Sequence, residues 1–173
     1  QALKYLANSN GHEAPILTSV HETNMRQREK LGQRVLQVLG NDLSGKTIAV
    51  WGLAFKPNTD DLREAPSGNL MDTVWAAGGR VQAFDPQAAD AARNRYGERD
   101  DLVLSESKEA ALAGADLLVI CTEWKAFFSP NFSLIKDSLN QPIIIDGRNL
   151  YDPAYVASLG IDYYAIGRGL SVK

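Results

Sequence analysis

The sequence reads IAVWGLAFKPNTDDLREAP from Ile48 to Pro66, a short apolar run that leads directly into a polar loop. The loop carries one lysine, one arginine and three carboxylates. A short apolar run bounded by turn residues is typical of a buried strand in a parallel sheet. Because ligands of open α/β sheets bind beyond the carboxyl ends of the strands, this loop is the first candidate for a functional site.

Alternating strand and helix signals continue from this run toward the end of the chain. The alternation predicts parallel pairing through right-handed crossovers, with helices on both faces of the sheet. The predicted class is therefore α/β, a Rossmann-like doubly wound parallel sheet. The predicted strands are 47–52, 81–84, 102–104, 116–121, 142–146 and 163–166, and the predicted helices between them are 67–77, 87–96, 106–113, 132–139 and 153–159.

One uninterrupted helical pattern precedes the sheet, over residues 14–39. Pro15 suits the first turn of this helix, and Gly40 suits its end. Apolar residues recur at three- and four-residue steps and form a stripe along one side. At ~1.5 Å per residue the helix would be ~39 Å long, more than a small domain needs, which indicates a partner surface. We therefore divide the chain into a helix region, 1–40, and a sheet domain, 41–173.

The composition restricts the class of protein. A chain of 173 residues can bury a core, and its net charge of -3 argues against a nucleic-acid partner. No apolar run approaches the ~20 residues of a membrane helix, so we expect no membrane partner. The single cysteine, Cys121, favours a reducing, cytoplasmic location. His12 and His21 have no neighbouring ligand cluster, so we expect no metal site.

Four blocks of sequence resemble, in the same order, the C-terminal domain of the UDP-glucose/GDP-mannose dehydrogenase family. One block alone would be weak, whereas four in order are specific. The last two are most similar to the UDP-glucose branch of the family. The blocks are GLAFKPNTDDLREAP from Gly52, VQAFDP from Val81, CTEWKAF from Cys121 and DGRNLYDP from Asp146.

The resemblance implies an NAD-dependent enzyme that oxidises UDP-glucose to UDP-glucuronate. The family's catalytic cysteine belongs to a Gly-Gly-x-Cys type of motif, which this sequence does not contain. The chain begins without methionine or a signal pattern, so we expect a C-terminal portion that binds the nucleotide sugar and is inactive alone. NAD would be bound mainly by a preceding domain. The alternatives are a GDP-mannose or UDP-N-acetylhexosamine dehydrogenase, or a non-catalytic nucleotide-binding module.

Three residues are candidates for substrate binding. Lys56 precedes Pro57, whose ring holds the preceding backbone extended, and the resemblance implies that Phe55 and Lys56 contact the nucleotide sugar. A solvated surface lysine is the alternative. Arg148 follows the predicted fifth strand, and its planar guanidinium suits bidentate contact with phosphate. The resemblance implies that Arg148 also binds the nucleotide sugar, while pairing with Asp146 or a neighbouring carboxylate is the structural alternative.

Arg63 is the candidate for cofactor binding. The resemblance implies that this arginine reaches NAD held mainly by the other domain. A local ion-pair network with Glu64 is the alternative, although surface pairs of this kind contribute only about 0 to 1 kcal/mol. Asp60 and Asp61 are expected to fix Arg63 and the loop backbone rather than to perform acid or base chemistry.

Asp85 and Cys121 each suggest a functional role that the sequence supports only weakly. Asp85 stands where a dinucleotide fold keeps the acid that binds a ribose hydroxyl, which would make the chain a self-sufficient NAD-binding domain. The glycine-rich loop of such a fold is missing, and Asp85 followed by Pro86 also suits a helix cap. Cys121 ends an apolar run without a cationic partner, so we expect a buried, inert thiol.

Asn24 interrupts the apolar stripe of the long helix. A polar residue in a helical seam often sets register and partner state. The resemblance implies a homodimer formed through this helix, with the polar face of the helix bordering the active site.

Overall fold

The computed structural model describes residues 2–168. The backbone forms six strands in this range: β1 (Thr47–Trp51), β2 (Arg80–Phe84), β3 (Leu102–Leu104), β4 (Leu117–Ile120), β5 (Ile143–Asp146) and β6 (Asp162–Ala165). All pair in parallel, in the order β3-β2-β1-β4-β5-β6. The chain adds β2 and β3 on one side of β1 and then β4, β5 and β6 on the other side. This arrangement defines a doubly wound sheet, so the predicted fold class is confirmed.

The helices of the described part are α1 (Ala2–Ser9), α2 (Pro15–Leu39), α3 (Pro66–Ala76), α4 (Ala89–Tyr96), α5 (Phe132–Ser138) and α6 (Pro153–Ser158), with 3-10 turns at Ala110–Leu112 and Lys125–Phe127. The predicted helix over 106–113 is wrong, because only the short turn forms there. The carbonyl of Lys108 accepts a hydrogen bond from the Trp51 indole at 2.8 Å, which takes it out of a helical ladder.

The two central strands are buried on both sides. Every residue of β4 is buried, and Ile48, Ala49 and Val50 of β1 are fully inaccessible. This pattern requires a continuous apolar run rather than an alternating one, because helices cover both faces of a parallel sheet. The carboxyl ends of β1 and β4 are in register, with Trp51 beside Ile120. The loops that follow these strands therefore start next to each other.

The long helix α2 packs against α3 through its second half. A Cβ on Gly32 would lie 2.6 Å from the Thr73 hydroxyl, so glycine permits the close approach of the two helices. Leu31 and Val35 join the buried cluster of the sheet. The division of the chain at residue 40 stays a prediction. Within residues 2–168, no helix is both long and apolar enough to cross a membrane.

The first half of α2 and the helix α1 carry an exposed apolar surface. Ile16 is 77% exposed and Val20 is 53% exposed. We call this the N-terminal apolar surface, and its large members are Leu3, Tyr5, Leu6, Ile16, Leu17 and Val20.

Candidate functional site

A cleft lies beyond the carboxyl ends of β1, β4 and β5, where the strand order of the sheet reverses. Its volume is about 450 Å³. The loops after these strands contribute Phe55, Cys121 and Arg148, and the polar side of α2 faces them with Asn24, Gln27 and Arg28. The structure thus brings together two of the predicted substrate-binding residues, Phe55 and Arg148. The reversal point of an open α/β sheet is where such folds bind ligands.

Arg148 spans the ends of β1 and β4. Its Nε donates to the carbonyl of Cys121 at 2.8 Å, and its Nη2 donates to the carbonyl of Phe55 at 3.2 Å. Glu123 Oε2 lies 2.9 Å from the same Nε, although no hydrogen bond within the described chain reaches that oxygen. The predicted pairing with a neighbouring carboxylate is therefore present, and the partner is Glu123. A guanidinium has five N–H donors, so Arg148 keeps donors for a ligand.

The turn that carries Arg148 is shaped by the buried carboxylate of Asp146. This carboxylate accepts from the backbone N–H groups of Arg148 and Leu150 and from the Tyr163 hydroxyl, each at 2.7 Å. Burial, followed by the Asp146 charge, raises the pKa of Tyr163 well above its usual range, so the hydroxyl remains a donor. Asp146 therefore fixes the backbone of Arg148 rather than its guanidinium.

Asn149 fastens the same turn to the end of β6. It adopts a left-handed backbone conformation with φ of 57°. Its side-chain amide donates to the carbonyl of Ile166 at 3.1 Å and accepts from the backbone N–H of Ile166 at 2.9 Å. Ile166 lines the cleft, so this pair of hydrogen bonds sets one wall of the site.

The loop that carries Phe55 is held from several sides. Gly52 has φ of 89°, and a Cβ there would lie 2.6 Å from Thr122 Cβ. Ser67 donates to the carbonyl of Leu53 at 2.6 Å, and Thr122 donates to the carbonyl of Ala54 at 2.5 Å. Phe55 itself is 45% exposed and lines the cleft. The loop is therefore a fixed support for an accessible aromatic ring.

Lys56 and Arg63 lie outside the lining of the cleft. The Lys56 side chain is exposed and makes no ion pair within residues 2–168. Arg63 has an 87% exposed side chain and binds Asp61, with its Nη2 2.7 Å from Oδ2 and its Nε 2.9 Å from Oδ1. Hydrogen bonds from Arg63, together with its charge and that of Lys56, lower the pKa of Asp61 to about 2.

One ion pair of the site was missed in the sequence. Glu64 pairs with Arg28 of α2 at 2.8 Å, not with Arg63, and both members line the cleft. The helix spacing indicates that Arg28 faces the sheet domain, because it lies one turn from the buried Leu31 on the same side of α2. The sequence does not identify the partner of Arg28, because Glu64 lies 36 residues away along the chain.

Asp85 and Cys121 both have structural roles. Asp85 Oδ1 accepts from the backbone N–H groups of Gln87 and Ala88, both at 2.9 Å, in the turn that leads into α4. The helix α4 itself begins at Ala89 without a side-chain cap, so Asp85 caps the preceding turn rather than the predicted helix. Cys121 is buried, as predicted, and burial raises the pKa of its thiol to about 12. A thiol with this pKa is protonated at neutral pH and is not an activated nucleophile. Among the described residues, no group of three or more His, Cys, Asp or Glu side chains could hold a metal ion.

A doubly wound α/β domain with an arginine-bearing cleft at its reversal point is typical of nucleotide-binding domains. Residues 49–153 match the family model described as the UDP-glucose/GDP-mannose dehydrogenase family, UDP binding domain. The chain belongs to this family, as the four sequence blocks indicated.

Relatives with assigned names support the same family. The chain is 45% identical to the UDP-glucose 6-dehydrogenase of Pseudomonas aeruginosa over 97% of its own length and 38% of that protein. It is 36% identical to a UDP-glucose 6-dehydrogenase of Bacillus subtilis, over 96% of the chain and 37% of that protein. The chain therefore spans well under half the length of these relatives.

Solved structures share the fold. A UDP-glucose dehydrogenase from Pyrobaculum islandicum superposes with a TM-score of 0.73 and 30% identity, covering 85% of this chain and 32% of that one. A UDP-D-ManNAc dehydrogenase from Pyrococcus horikoshii gives a TM-score of 0.61 at 30% identity, covering 82% of this chain and 30% of that one.

Proposed function

We propose that this chain is the nucleotide-sugar-binding portion of an NAD-dependent UDP-glucose 6-dehydrogenase, which oxidises UDP-glucose to UDP-glucuronate. The observation that carries the proposal is the cleft at the reversal point, which is lined by Phe55 and by Arg148, whose guanidinium is held by two backbone carbonyls. The 45% identity to the Pseudomonas aeruginosa enzyme supports the choice of UDP-glucose. The chain alone is expected to be inactive.

The cleft suits an anionic diphosphate joined to a flat ring and a polyol. Arg148 supplies donors for phosphate oxygens, and the exposed ring of Phe55 offers an apolar face. Asn24 and Gln27 of α2 supply amide groups that can donate to and accept from sugar hydroxyls. Lys56 lies next to Phe55 on the fixed loop, from which its flexible side chain can reach toward the diphosphate.

Arg63 is the proposed contact to NAD. Asp61 orients its guanidinium, yet most of the side chain faces solvent, which suits a cofactor held mainly by a domain outside this chain. The sheet of this chain does not fit a complete dinucleotide site, because both oxygens of Asp85 are engaged by N–H donors. The proposed role of this chain toward NAD is therefore one contact at the edge of the cofactor.

The N-terminal apolar surface is the proposed contact of a homodimer. Its six large apolar side chains would bury area against a second copy of α1 and α2. Sedimentation of the chain with and without residues 1–40 tests this, and a monomer in both cases would refute it. A reducing, cytoplasmic location is part of the same proposal, since the only cysteine is a free thiol.

Calorimetric titration of the chain with UDP and UDP-glucose tests the substrate site. Lys56→Ala and Arg148→Ala are each expected to weaken binding by about tenfold, the usual size of a lost charge-assisted contact. Arg93→Ala is the matched control, because Arg93 is an exposed arginine of α4 that pairs only with Asp90 among the described residues. Unchanged UDP affinity in both test variants would remove the proposed site.

A second sugar nucleotide remains a candidate because the Pyrococcus horikoshii UDP-D-ManNAc dehydrogenase shares the fold at 30% identity. Both candidates contain UDP, so titration with UDP cannot separate them. Turnover by the complete enzyme with UDP-glucose and not with UDP-N-acetylmannosamine would support the proposal. The reverse preference would replace it.

A further inference from the structure

The carboxylate of Asp85 accepts more hydrogen bonds than a helix cap requires. The residue follows β2 and is only 4% exposed. One oxygen, Oδ1, accepts from the backbone N–H groups of Gln87 and Ala88 in the turn before α4. The other, Oδ2, accepts from the backbone N–H groups of Leu53 and Ala54 at 2.7 and 3.0 Å and from the Trp124 indole at 3.1 Å. Asp85 thus joins the loop after β1 and the loop after β4.

Each of these two loops supplies a contact of Arg148. Phe55, whose carbonyl accepts from Nη2, directly follows Ala54. Glu123, which lies 2.9 Å from Nε, directly precedes Trp124. Two of the three donors to Asp85 Oδ2, Ala54 and Trp124, are therefore one residue away from a group that contacts the Arg148 guanidinium, although Asp85 and Arg148 share no contact of their own.

We infer that Asp85 is a positioning residue for Arg148, and that its Oδ2 sets the separation of the two loops between which the guanidinium is held. This inference rests on the proposed nucleotide-sugar site. In dinucleotide folds the acid at this place binds a ribose hydroxyl directly. In this chain the same carboxylate acts one step away from the ligand, by fixing the backbone of the groups that orient an arginine.

A purely structural carboxylate would affect stability and leave ligand binding unchanged. Asp116 provides the matched comparison, because it is also a buried acid at a strand end, 5% exposed, and accepts from the Thr47 backbone at 2.9 Å and from Lys46 Nζ at 3.1 Å. These partners lie at the amino ends of the strands, opposite the cleft. Trp75 is the comparison for Trp124, since its indole donates to the carbonyl of Asp101 at 3.2 Å, away from the cleft.

The binding experiment uses four variants of the chain. Asp85→Asn replaces one acceptor oxygen by an amide that cannot accept, and UDP affinity is expected to fall about tenfold. Trp124→Phe removes only the indole donor and is expected to lower UDP affinity about threefold. Asp116→Asn and Trp75→Phe are expected to keep the wild-type affinity within about twofold, even where the free energy of unfolding falls. Equal UDP affinity in Asp85→Asn and wild type would overturn the inference.

Hydrogen exchange of the ligand-free chain gives a readout that does not require the proposed function. Asp85→Asn is expected to accelerate exchange at the Leu53 and Ala54 amides and at the Arg148 Nε–H. The control variant, Asp116→Asn, is expected to accelerate exchange at the Thr47 amide alone. Unchanged exchange at Arg148 Nε–H would overturn the positioning role. If the wild-type chain fails to bind UDP, the proposed function fails, and the exchange rate at Arg148 alone then decides the role of Asp85.

Discussion

The hydrogen bond between Tyr163 and Asp146 provides a sharp test of how the Arg148 turn is stabilised. Tyr163→Phe deletes a hydroxyl that donates to Asp146 Oδ2 at 2.7 Å and accepts from the Tyr151 backbone at 3.3 Å. A buried hydrogen bond to a charged group contributes about 1.5 to 3 kcal/mol, so we expect the free energy of unfolding to fall by about 2 kcal/mol. For a chain of this size the melting temperature should fall by roughly 4 to 8 °C.

Urea unfolding followed by tryptophan fluorescence measures this loss. Tyr155→Phe is the matched control, because Tyr155 is 56% exposed. Removal of its hydroxyl should change the free energy of unfolding by less than about 0.5 kcal/mol. A Tyr163→Phe variant as stable as wild type would refute the reasoning, since it would mean that Asp146 is satisfied without the phenol.

The pH dependence follows from the direction of the Tyr163 pKa. Burial and the Asp146 charge raise this pKa above its ordinary value of 10.0, so the folded state holds the phenolic proton more tightly than the unfolded state. The corresponding stabilisation is complete below pH 10 and is lost as the pH rises toward the folded pKa. Wild type should therefore lose its advantage over Tyr163→Phe only above about pH 10.

Three further perturbations have defined outcomes. Gly52→Ala should lower the free energy of unfolding, measured in urea, by roughly 2 kcal/mol or more, because φ of Gly52 is 89° and the new Cβ would lie 2.6 Å from Thr122 Cβ. A loss below about 0.5 kcal/mol would show that the loop relaxes freely. The Asp61 carboxyl should titrate by NMR near pH 2, and Arg63→Ala should raise its pKa toward 3.8. A pKa unchanged by that variant would exclude the side-chain hydrogen bonds of Arg63 as the cause, because the backbone N–H at this position still donates to Asp61. Cys121 should resist a thiol reagent at pH 8 in the folded chain and react once urea unfolds it, because the buried thiol has a pKa of about 12; rapid labelling of the folded chain would contradict the burial.

Most of the fold could be predicted because its signals are local. The run Leu117–Ile120 is apolar at every position, as expected of a strand buried on both faces, and the predicted strand 102–104 has the observed bounds Leu102–Leu104. The predicted helix over 106–113 does not form, and the reason lies outside that segment. Its backbone is held by the indole of Trp51, more than 50 residues earlier.

The candidate site was predictable in part. Phe55 follows β1 and Arg148 follows β5, and the loops after the parallel strands of one sheet all start at its carboxyl edge, with β4 alone between these two strands. Lys56 was expected in the same contact, yet its side chain lies outside the lining of the cleft. A residue's place in the chain fixes which loop it occupies, whereas the direction of a long, flexible side chain depends on the charges around it.

The sequence by itself determined the family, the alternation of strands and helices, and the loops in which the charged residues stand, because these depend on local patterns and ordered motifs. Only the tertiary structure decided which charged groups meet. Arg28 pairs with Glu64, Arg148 reaches Glu123, and Asp85 connects two loops. These pairings join residues far apart in the chain, and their geometry is set by how α2 and the strand ends pack, which no local pattern encodes.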